Sequence, residues 1–258
     1  MSKMLLTMIL LLGLSLPGIS QQTAPGDISI EEKLGDQVAL DVVLKDENGN
    51  DITLRDLVDK PTILFFNYFR CPGICPVLIS NVAEVVNQML AEPGTDYRLV
   101  AVSFDPTDTP ELALQKKANY LNLLRRPFSP ESWRFLTGTA ENSKAVADST
   151  GFNYLLKGDM YQHPGALIVL TPSGVISRYM YGTQFLAADV EMAIQEAASE
   201  QVRPTISKML AFCYTYDPEG RGYVFSLTRF VGFIVLVLAV LFIAFVIWGR
   251  SKKRGQPS

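Results

Sequence analysis

Apolar and polar residues alternate along residues 38–58 on both sides of Asn48-Gly49, and this period of two predicts a β-hairpin. Residues 60–69 form a continuous apolar run, which is typical of a strand buried on both faces. Residues 77–90 carry apolar side chains three or four positions apart, so they predict a helix with one buried face. The folded part of the chain therefore begins with a hairpin, a buried strand and a helix.

Strand and helix patterns go on alternating as far as residue 199. This order, a hairpin followed by strand–helix units, predicts an α/β domain with a mainly parallel central sheet. Such sheets bind ligands where a loop leaves a central strand and enters a helix. The further predicted elements are a strand at 97–104, a helix from Asp108 or Thr109 to about Leu124, a short strand at 133–138, a helix ending at Gly151, two strands within 163–182 and a helix at 186–199.

The N-terminal end of the chain carries a short apolar segment. Thirteen residues from Met4 to Leu16 follow Lys3, Pro17-Gly18 interrupts them, and Ser20 is small enough to precede a cleavage site. These features are typical of a secretory signal peptide over residues 1–20. The alternative is an uncleaved membrane anchor, for which the apolar segment is short.

The C-terminal end carries a longer apolar segment. Phe230–Trp248 contains 19 residues without a charge, and a helix of that length rises roughly 28 Å, enough to cross a bilayer. We expect a transmembrane helix over 229–249 and a cytoplasmic tail over 250–258, because basic residues favour the inner side. The globular part then lies on the exported side of the cell membrane, tethered by a single pass. The basic residues are Arg229, Arg250, Lys252, Lys253 and Arg254.

Between the two ends we expect a lead-in segment at 21–34, a domain at 35–200 and a juxtamembrane segment at 201–228. Residues 21–228 contain 17 Lys and Arg against 26 Asp and Glu, which gives a net charge of −9. This negative charge argues against nucleic acid as a partner. An exported chain also meets an oxidising compartment, in which Cys71 and Cys75 can form a disulfide.

Cys71 and Cys75 lie four residues apart in the segment NYFRCPGICP, directly after the first buried strand. Four-residue spacing on a regular helix holds Cβ atoms roughly 5 to 6 Å apart, further than the 3.8 Å of a disulfide. Pro72-Gly73 favours a turn, so the two sulfurs can either meet or bind one ion. Pro76 suits a first helical position, which makes Cys75 the predicted N-cap.

The small number of cysteines limits the chemistry of this pair. An iron–sulfur cluster normally needs four cysteines and structural zinc needs further Cys or His, so copper or a disulfide remains. The disulfide alternative includes a bridge that only staples the loop. His163 is the only histidine of the chain, and we interpret it as a third copper ligand. The alternative is a histidine at a strand edge or on the surface.

Several segments resemble those of the Sco/SenC family, the thioredoxin-fold copper chaperones of cytochrome c oxidase assembly. FFNYFRCPGICPVLIS is similar to the family's F-x-Y-T-x-C-P-x-x-C-P segment, and VAVSFDPTDTPE to its D-P-x-x-D-T-P segment. FLTGTAENSKAVADSTGF resembles the family's L-T-G helix region, and HPGALIVLTPSGVISRYMYG its histidine strand. The matches follow the family's order over roughly residues 35 to 200.

The resemblance implies a thioredoxin-like domain with an added N-terminal hairpin, and copper bound by Cys71, Cys75 and His163. It also implies transfer of copper toward the dinuclear centre of oxidase subunit II or another copper-site protein, or reduction of that protein's cysteines. Asp105 matches the first aspartate of the D-P-x-x-D-T-P segment. We leave open whether Asp105 supports the ligands or only forms a turn at the strand end.

The chain also departs from the family pattern. Phe69 replaces a threonine, Gln162 replaces an aspartate that often precedes the histidine, and the predicted anchor is C-terminal where many members carry it at the N-terminus. The segment FCYTYDPEGRGY resembles one found in a C-terminally anchored subgroup. It contains Cys213, which we interpret either as a free interfacial thiol or as a contact with a partner.

Three functions remain open at this stage. The first is a membrane-tethered copper carrier, which needs His163 and is not a catalyst. The second is a thiol–disulfide reductase for copper-site proteins, which needs only Cys71 and Cys75 and a thiol reductant to restore them. The third is a redox or copper sensor.

The predicted topology can be tested with a reporter fused after Ser258. A reporter that works only in the cytoplasm should be active there, because the basic residues hold the tail on the inner side. The matched control is the same reporter fused after Gln201, which should be inactive. Activity of an exported-compartment reporter at Ser258 would contradict the predicted topology.

Overall fold

The computed structural model describes residues 28–202, 214–217 and 222–225 of the chain. The predicted signal peptide, transmembrane segment and cytoplasmic tail lie outside the described residues, as does Cys213. No helix within the described residues is both long and apolar enough to span a membrane.

The described residues form eleven strands and five helices, with one short 3₁₀ turn at Pro130–Ser132. The helices cover both faces of the largest sheet, so the predicted α/β class is confirmed. In chain order the elements are β1 (Val43–Lys45), β2 (Asp51–Thr53), α1 (Leu54–Leu57), β3 (Thr62–Asn67), α2 (Ile74–Gln88), β4 (Arg98–Ser103), α3 (Pro110–Leu121), β5 (Trp133–Leu136), α4 (Ala140–Ser149), β6 (Leu155–Lys157), β7 (Met160–Gln162), β8 (Ala166–Leu170), β9 (Ile176–Tyr181), α5 (Ala187–Ala198), β10 (Tyr214–Asp217) and β11 (Gly222–Phe225).

The central sheet has five strands in the order β5-β4-β3-β8-β9. Strands β3, β4 and β5 run parallel, whereas β8 is antiparallel to β3 and β9 is antiparallel to β8. All six residues of β3 are buried, as the continuous apolar run predicted. Helices α2, α3 and α5 pack on one face of the sheet, and α1 and α4 pack on the other.

Most of the predicted elements are confirmed, and their ends follow local hydrogen bonds. Thr109 is the N-cap of α3, because its side chain accepts a hydrogen bond from Leu112 N. Helix α4 ends at Ser149, and Gly151 follows with a φ of +67°. A Cβ atom at Gly151 would lie 1.8 Å from the carbonyl oxygen of Glu31, so this position requires glycine.

Two parts of the pattern were read wrongly from the sequence. The predicted hairpin is present as β1–β2, but residues 54–57 form helix α1 instead of continuing a strand. The cause is a capping box, in which Thr53 and Asp56 exchange side-chain and backbone hydrogen bonds. Residues 155–162, for which the sequence pattern predicted no element, form a second hairpin from β6 and β7.

A buried ionic cluster joins the tip of the β1–β2 hairpin to the sheet. Glu47 pairs with Lys117 of α3 and with Arg134 of β5, whose Nε lies 3.1 Å from a Glu47 carboxylate oxygen. Arg134 also reaches Asp46, with 2.6 Å between Nη2 and Oδ2. The backbone N–H of Phe135 donates to Glu47 at 3.1 Å. The cluster therefore anchors the hairpin to β5 and α3 at once.

Glu47→Gln should lower the free energy of unfolding by about 3 kcal/mol, because it leaves the buried ammonium of Lys117 without its charged partner. Urea denaturation of the full chain in detergent, followed by circular dichroism, measures this loss. Asp51→Asn is the matched control, since Asp51 pairs with Lys45 on the exposed surface. Equal stability of the two variants would contradict the importance of the buried cluster.

Candidate metal centre

The loop between β3 and α2 carries both predicted cysteine ligands. Helix α2 begins at Ile74 with Gly73 as its N-cap, so the prediction that Cys75 is the N-cap was wrong. Cys75 is instead the second residue of the helix, and Pro76 is the third. Proline is tolerated there because the first four N–H groups of a helix have no partner within it. Glycine at position 73 therefore lets the helix begin earlier than the position of Pro76 suggested.

The structure brings His163 to the two cysteines. His163 lies in the connection between β7 and β8, and its Nε2 is 3.2 Å from the Sγ of Cys75. The ligand atoms of Cys71, Cys75 and His163 all lie within 4.8 Å of one another. No disulfide joins the two cysteines. All three ligands predicted from the sequence thus meet at the carboxyl end of β3.

The hydrogen bonding of His163 orients its imidazole ring for metal binding. Its Nδ1 lies 3.0 Å from the carbonyl oxygen of Pro164. Because a carbonyl only accepts hydrogen bonds, Nδ1 carries the proton, and the neutral ring then has its free lone pair on Nε2. That nitrogen is the one that faces the sulfurs, as in metal-binding histidines generally.

The donor set of two sulfurs and one imidazole nitrogen fits a soft metal ion. Metal–sulfur bonds of about 2.3 Å and metal–nitrogen bonds of about 2.0 Å place two donors on one ion no more than about 4.6 Å apart. The observed separation of at most 4.8 Å is close to this limit, so only small movements bring the donors onto one ion. Thiolate and imidazole together suit copper.

A family profile described as SCO1/SenC matches residues 31–199, which is more than half of the chain. The chain belongs to the SCO1/SenC family. Among curated relatives of this SCO1/SenC chain, Protein SenC of Rhodobacter capsulatus is 32% identical over 122 residues, or 47% of this chain and 51% of that protein. A mitochondrial SCO1 homologue of Arabidopsis thaliana is 32% identical over 110 residues, or 42% of this chain and 30% of that protein.

The fold of this SCO1/SenC chain is also found in solved structures. The crystal structure of Arabidopsis thaliana ScoI with copper bound superposes with a TM-score of 0.51 and 24% identity. The match covers 61% of this chain and 96% of the Arabidopsis chain. This similarity concerns the fold, and it confirms the expected thioredoxin-like architecture with its small N-terminal hairpin.

Aromatic rings pack around His163 in this SCO1/SenC domain, and the sequence pattern did not predict them. The imidazole packs against Phe104 at 5.1 Å between ring centroids, against Tyr68 at 6.0 Å and against Phe152 at 6.1 Å. Tyr161 of β7 contacts both Tyr68 and Phe104 at 5.3 Å. These ring contacts limit the movement of the imidazole. The feature of the sequence that could have indicated these rings is the pair of aromatic residues Phe152 and Tyr161, on either side of β6.

The two cysteines differ in exposure and in acidity. Cys75 is buried, whereas Cys71 is partly exposed. A hydrogen bond from the Cys75 side chain lowers the pKa of Cys71, and the N–H of Gly73 lowers it further, although burial opposes them. The same interaction with Cys71, together with burial, raises the pKa of Cys75. Cys71 is therefore the thiolate of the pair.

The two aspartates of the β4–α3 connection have different roles. Asp105 accepts hydrogen bonds from the N–H and the hydroxyl of Thr107, at 2.9 and 2.8 Å, as a turn former does. Asp108, predicted only as a possible helix cap, accepts a hydrogen bond from the N–H of Phe69 at 2.7 Å. Phe69 replaces the family's threonine and is buried, with its ring stacked against Phe135 at 6.0 Å.

Alkylation should distinguish the two thiols. In the reduced full chain, Cys71 should react with iodoacetamide at least about tenfold faster than Cys75 at pH 6, because it is more exposed and its pKa is lowered. The alkylation rate of Cys71 should stay nearly constant between pH 8 and pH 6, whereas the thiolate fraction of an ordinary thiol falls about 100-fold over that range. Mass spectrometry of the peptides assigns each site, and Cys71→Ser serves as the control. Faster reaction at Cys75 would contradict this assignment.

Proposed function

We propose that this chain is a membrane-tethered copper-binding protein that delivers copper to, or matures, the dinuclear copper centre of cytochrome c oxidase. The observation that carries the proposal is the meeting of Cys71, Cys75 and His163 within 4.8 Å at one edge of the sheet. Membership of the SCO1/SenC family and the copper-bound structure of Arabidopsis ScoI support it. We place the domain on the exported side of the membrane, held by residues 229–249.

In this proposal copper is the cargo, and each ligand has a distinct task. Two thiolates suffice for Cu(I), whereas Cu(II) favours a nitrogen donor, which Nε2 of His163 supplies. The hydrogen bond from Nδ1 to Pro164 fixes the direction of that lone pair. Burial of Cys75 protects one sulfur from competing ligands, while partial exposure of Cys71 gives an acceptor protein a place to begin ligand exchange.

The acceptor in this proposal is subunit II of cytochrome c oxidase or another protein with a copper site. Ligand exchange needs the incoming donor to reach the metal from the solvent side. The loop offers that side at Pro72, Gly73 and Pro76, which are exposed around the partly exposed Cys71. Transfer in this proposal therefore proceeds through the cysteine loop.

A second candidate function is a thiol–disulfide reductase, which the different acidities of the two cysteines favour. The Cys71 thiolate attacks a disulfide in the target protein and forms a mixed disulfide, releasing one target thiolate. Cys75 then gives its proton to the released target thiolate and attacks the Cys71 sulfur, which releases the second target thiolate and leaves Cys71 and Cys75 joined by a disulfide. The target gains two electrons, and an external thiol reductant restores the pair.

His163→Ala should separate the two copper oxidation states. We expect Cu(II) affinity to fall by at least about tenfold, with Cu(I) affinity changed much less, because Cu(I) keeps both sulfurs. Gln162→Ala is the matched control, since Gln162 is the exposed neighbour of His163. Competition titrations on the reduced full chain measure both affinities. Unchanged Cu(II) affinity in His163→Ala would remove His163 from the proposed site.

The same variant distinguishes the two candidate functions in cells. Loss of oxidase activity in His163→Ala, with recovery on added copper, would support copper delivery. Full oxidase activity in His163→Ala together with its loss in Cys71→Ser would support the reductase, because disulfide exchange needs only the two sulfurs. Full activity in both variants would contradict both functions.

A further inference from the structure

Asp108 forms a buried contact with the backbone that leads to Cys71. Its side chain is fully buried, and one carboxylate oxygen accepts hydrogen bonds from Phe69 N and from the Ser103 hydroxyl, each at 2.7 Å. Phe69 lies two residues beyond the end of β3 and two residues before Cys71. The pairing of β3 with β4 ends at Asn67, so the sheet offers the N–H of Phe69 no acceptor. Asp108 supplies that acceptor instead.

The second carboxylate oxygen of Asp108 faces the next residue of the same loop. Arg70 Nη1 lies 3.4 Å from it, and the same nitrogen donates to the Thr107 hydroxyl at 2.7 Å. The Thr107 hydroxyl in turn donates to Asp105 at 2.8 Å. Both residues that precede Cys71 are therefore fixed to the β4–α3 connection, Phe69 through its backbone and Arg70 through its side chain.

These contacts act on the metal site through the chain itself. The N–H of Cys71 donates to the carbonyl oxygen of Tyr68 at 3.2 Å, so residues 68–71 form one turn. Phe69 N lies inside this turn. Holding Phe69 N at Asp108 therefore sets where the turn places the Cys71 sulfur relative to Cys75 and His163.

We propose that Asp108 is a positioning residue that holds the Cys71 sulfur at the separation a metal ion needs. This inference rests on the proposed copper site but concerns the loop in its metal-free form as well. The two sulfurs form no disulfide and lie within 4.8 Å of each other, whereas a disulfide brings them to about 2.05 Å. A rigid turn favours the open, metal-binding arrangement, and a loosened turn lets the sulfurs close into a disulfide more easily.

The experiment compares Asp108→Asn and Asp108→Ala in the full chain. The asparagine keeps one oxygen acceptor for Phe69 N, whereas the alanine removes both acceptors. We expect Cu(II) affinity to fall about tenfold in Asp108→Asn and about 100-fold in Asp108→Ala, the range seen when residues supporting metal ligands are changed. Copper titration followed by absorption measures this, and paramagnetic resonance should show an altered Cu(II) spectrum.

A second measurement needs no copper. Equilibrium of the Cys71–Cys75 pair with dithiothreitol buffers, followed by alkylation and mass spectrometry, gives the ratio of disulfide to dithiol. We expect Asp108→Ala to shift this ratio about tenfold toward the disulfide, which corresponds to about 30 mV. Should the wild-type chain fail to bind copper, the proposed function fails, and this measurement still decides the role of Asp108.

Glu47→Gln is the matched control, because Glu47 is also a buried carboxylate that accepts a backbone N–H, from Phe135. It should lose stability while both site measurements stay within about twofold of wild type. If Asp108→Ala does not fold, Asp108→Asn and Arg70→Met decide, with the same direction expected for each. Asp108 variants with unchanged copper affinity and unchanged disulfide ratio, or Glu47→Gln with equal shifts, would overturn the proposal.

Discussion

The pairing of β3 with its two neighbours is the constraint on which the candidate metal site depends. Strand β4 runs parallel to β3, so the loops that follow the two strands leave the sheet at the same edge. Strand β8 runs antiparallel to β3, and its first residues therefore lie beside the last residues of β3. The cysteine loop, the β4–α3 connection and the residues before β8 meet for this reason. His163 and Asp108 reach the cysteine loop from opposite neighbours of the same strand.

Much of this arrangement could be predicted from the sequence, because its signals are local or chemically rare. The buried runs at β3 and β4 have a clear period, and Thr109 with Pro110 marks the start of α3. Two cysteines and a single histidine leave few choices for a soft-metal site. All three candidate ligands indeed meet in the structure.

The rest could not be predicted, because it depends on contacts between distant parts of the chain. The bond from Phe69 N to Asp108 spans 39 residues, and no pattern in either segment marks it. The three aromatic rings that pack against His163 come from three different connections, and each resembles ordinary core when viewed alone. The early start of α2 depends on the backbone freedom of Gly73, which competes with the helix-start preference of Pro76. The β6–β7 hairpin is short and mostly exposed, so it lacks an apolar period.

The separation of Cys75 and His163 along the chain has a consequence for folding. The two ligands lie 88 residues apart, and they meet only after β8 has paired with β3. An emerging chain thus exposes both thiols well before the imidazole is in place, and during that interval an oxidant can join the two cysteines in a disulfide. Once the sheet has closed, an ion bound across the two loops joins early and late parts of the chain. Such an ion binds the folded form in preference to the unfolded one and so resists unfolding of the whole domain by mass action.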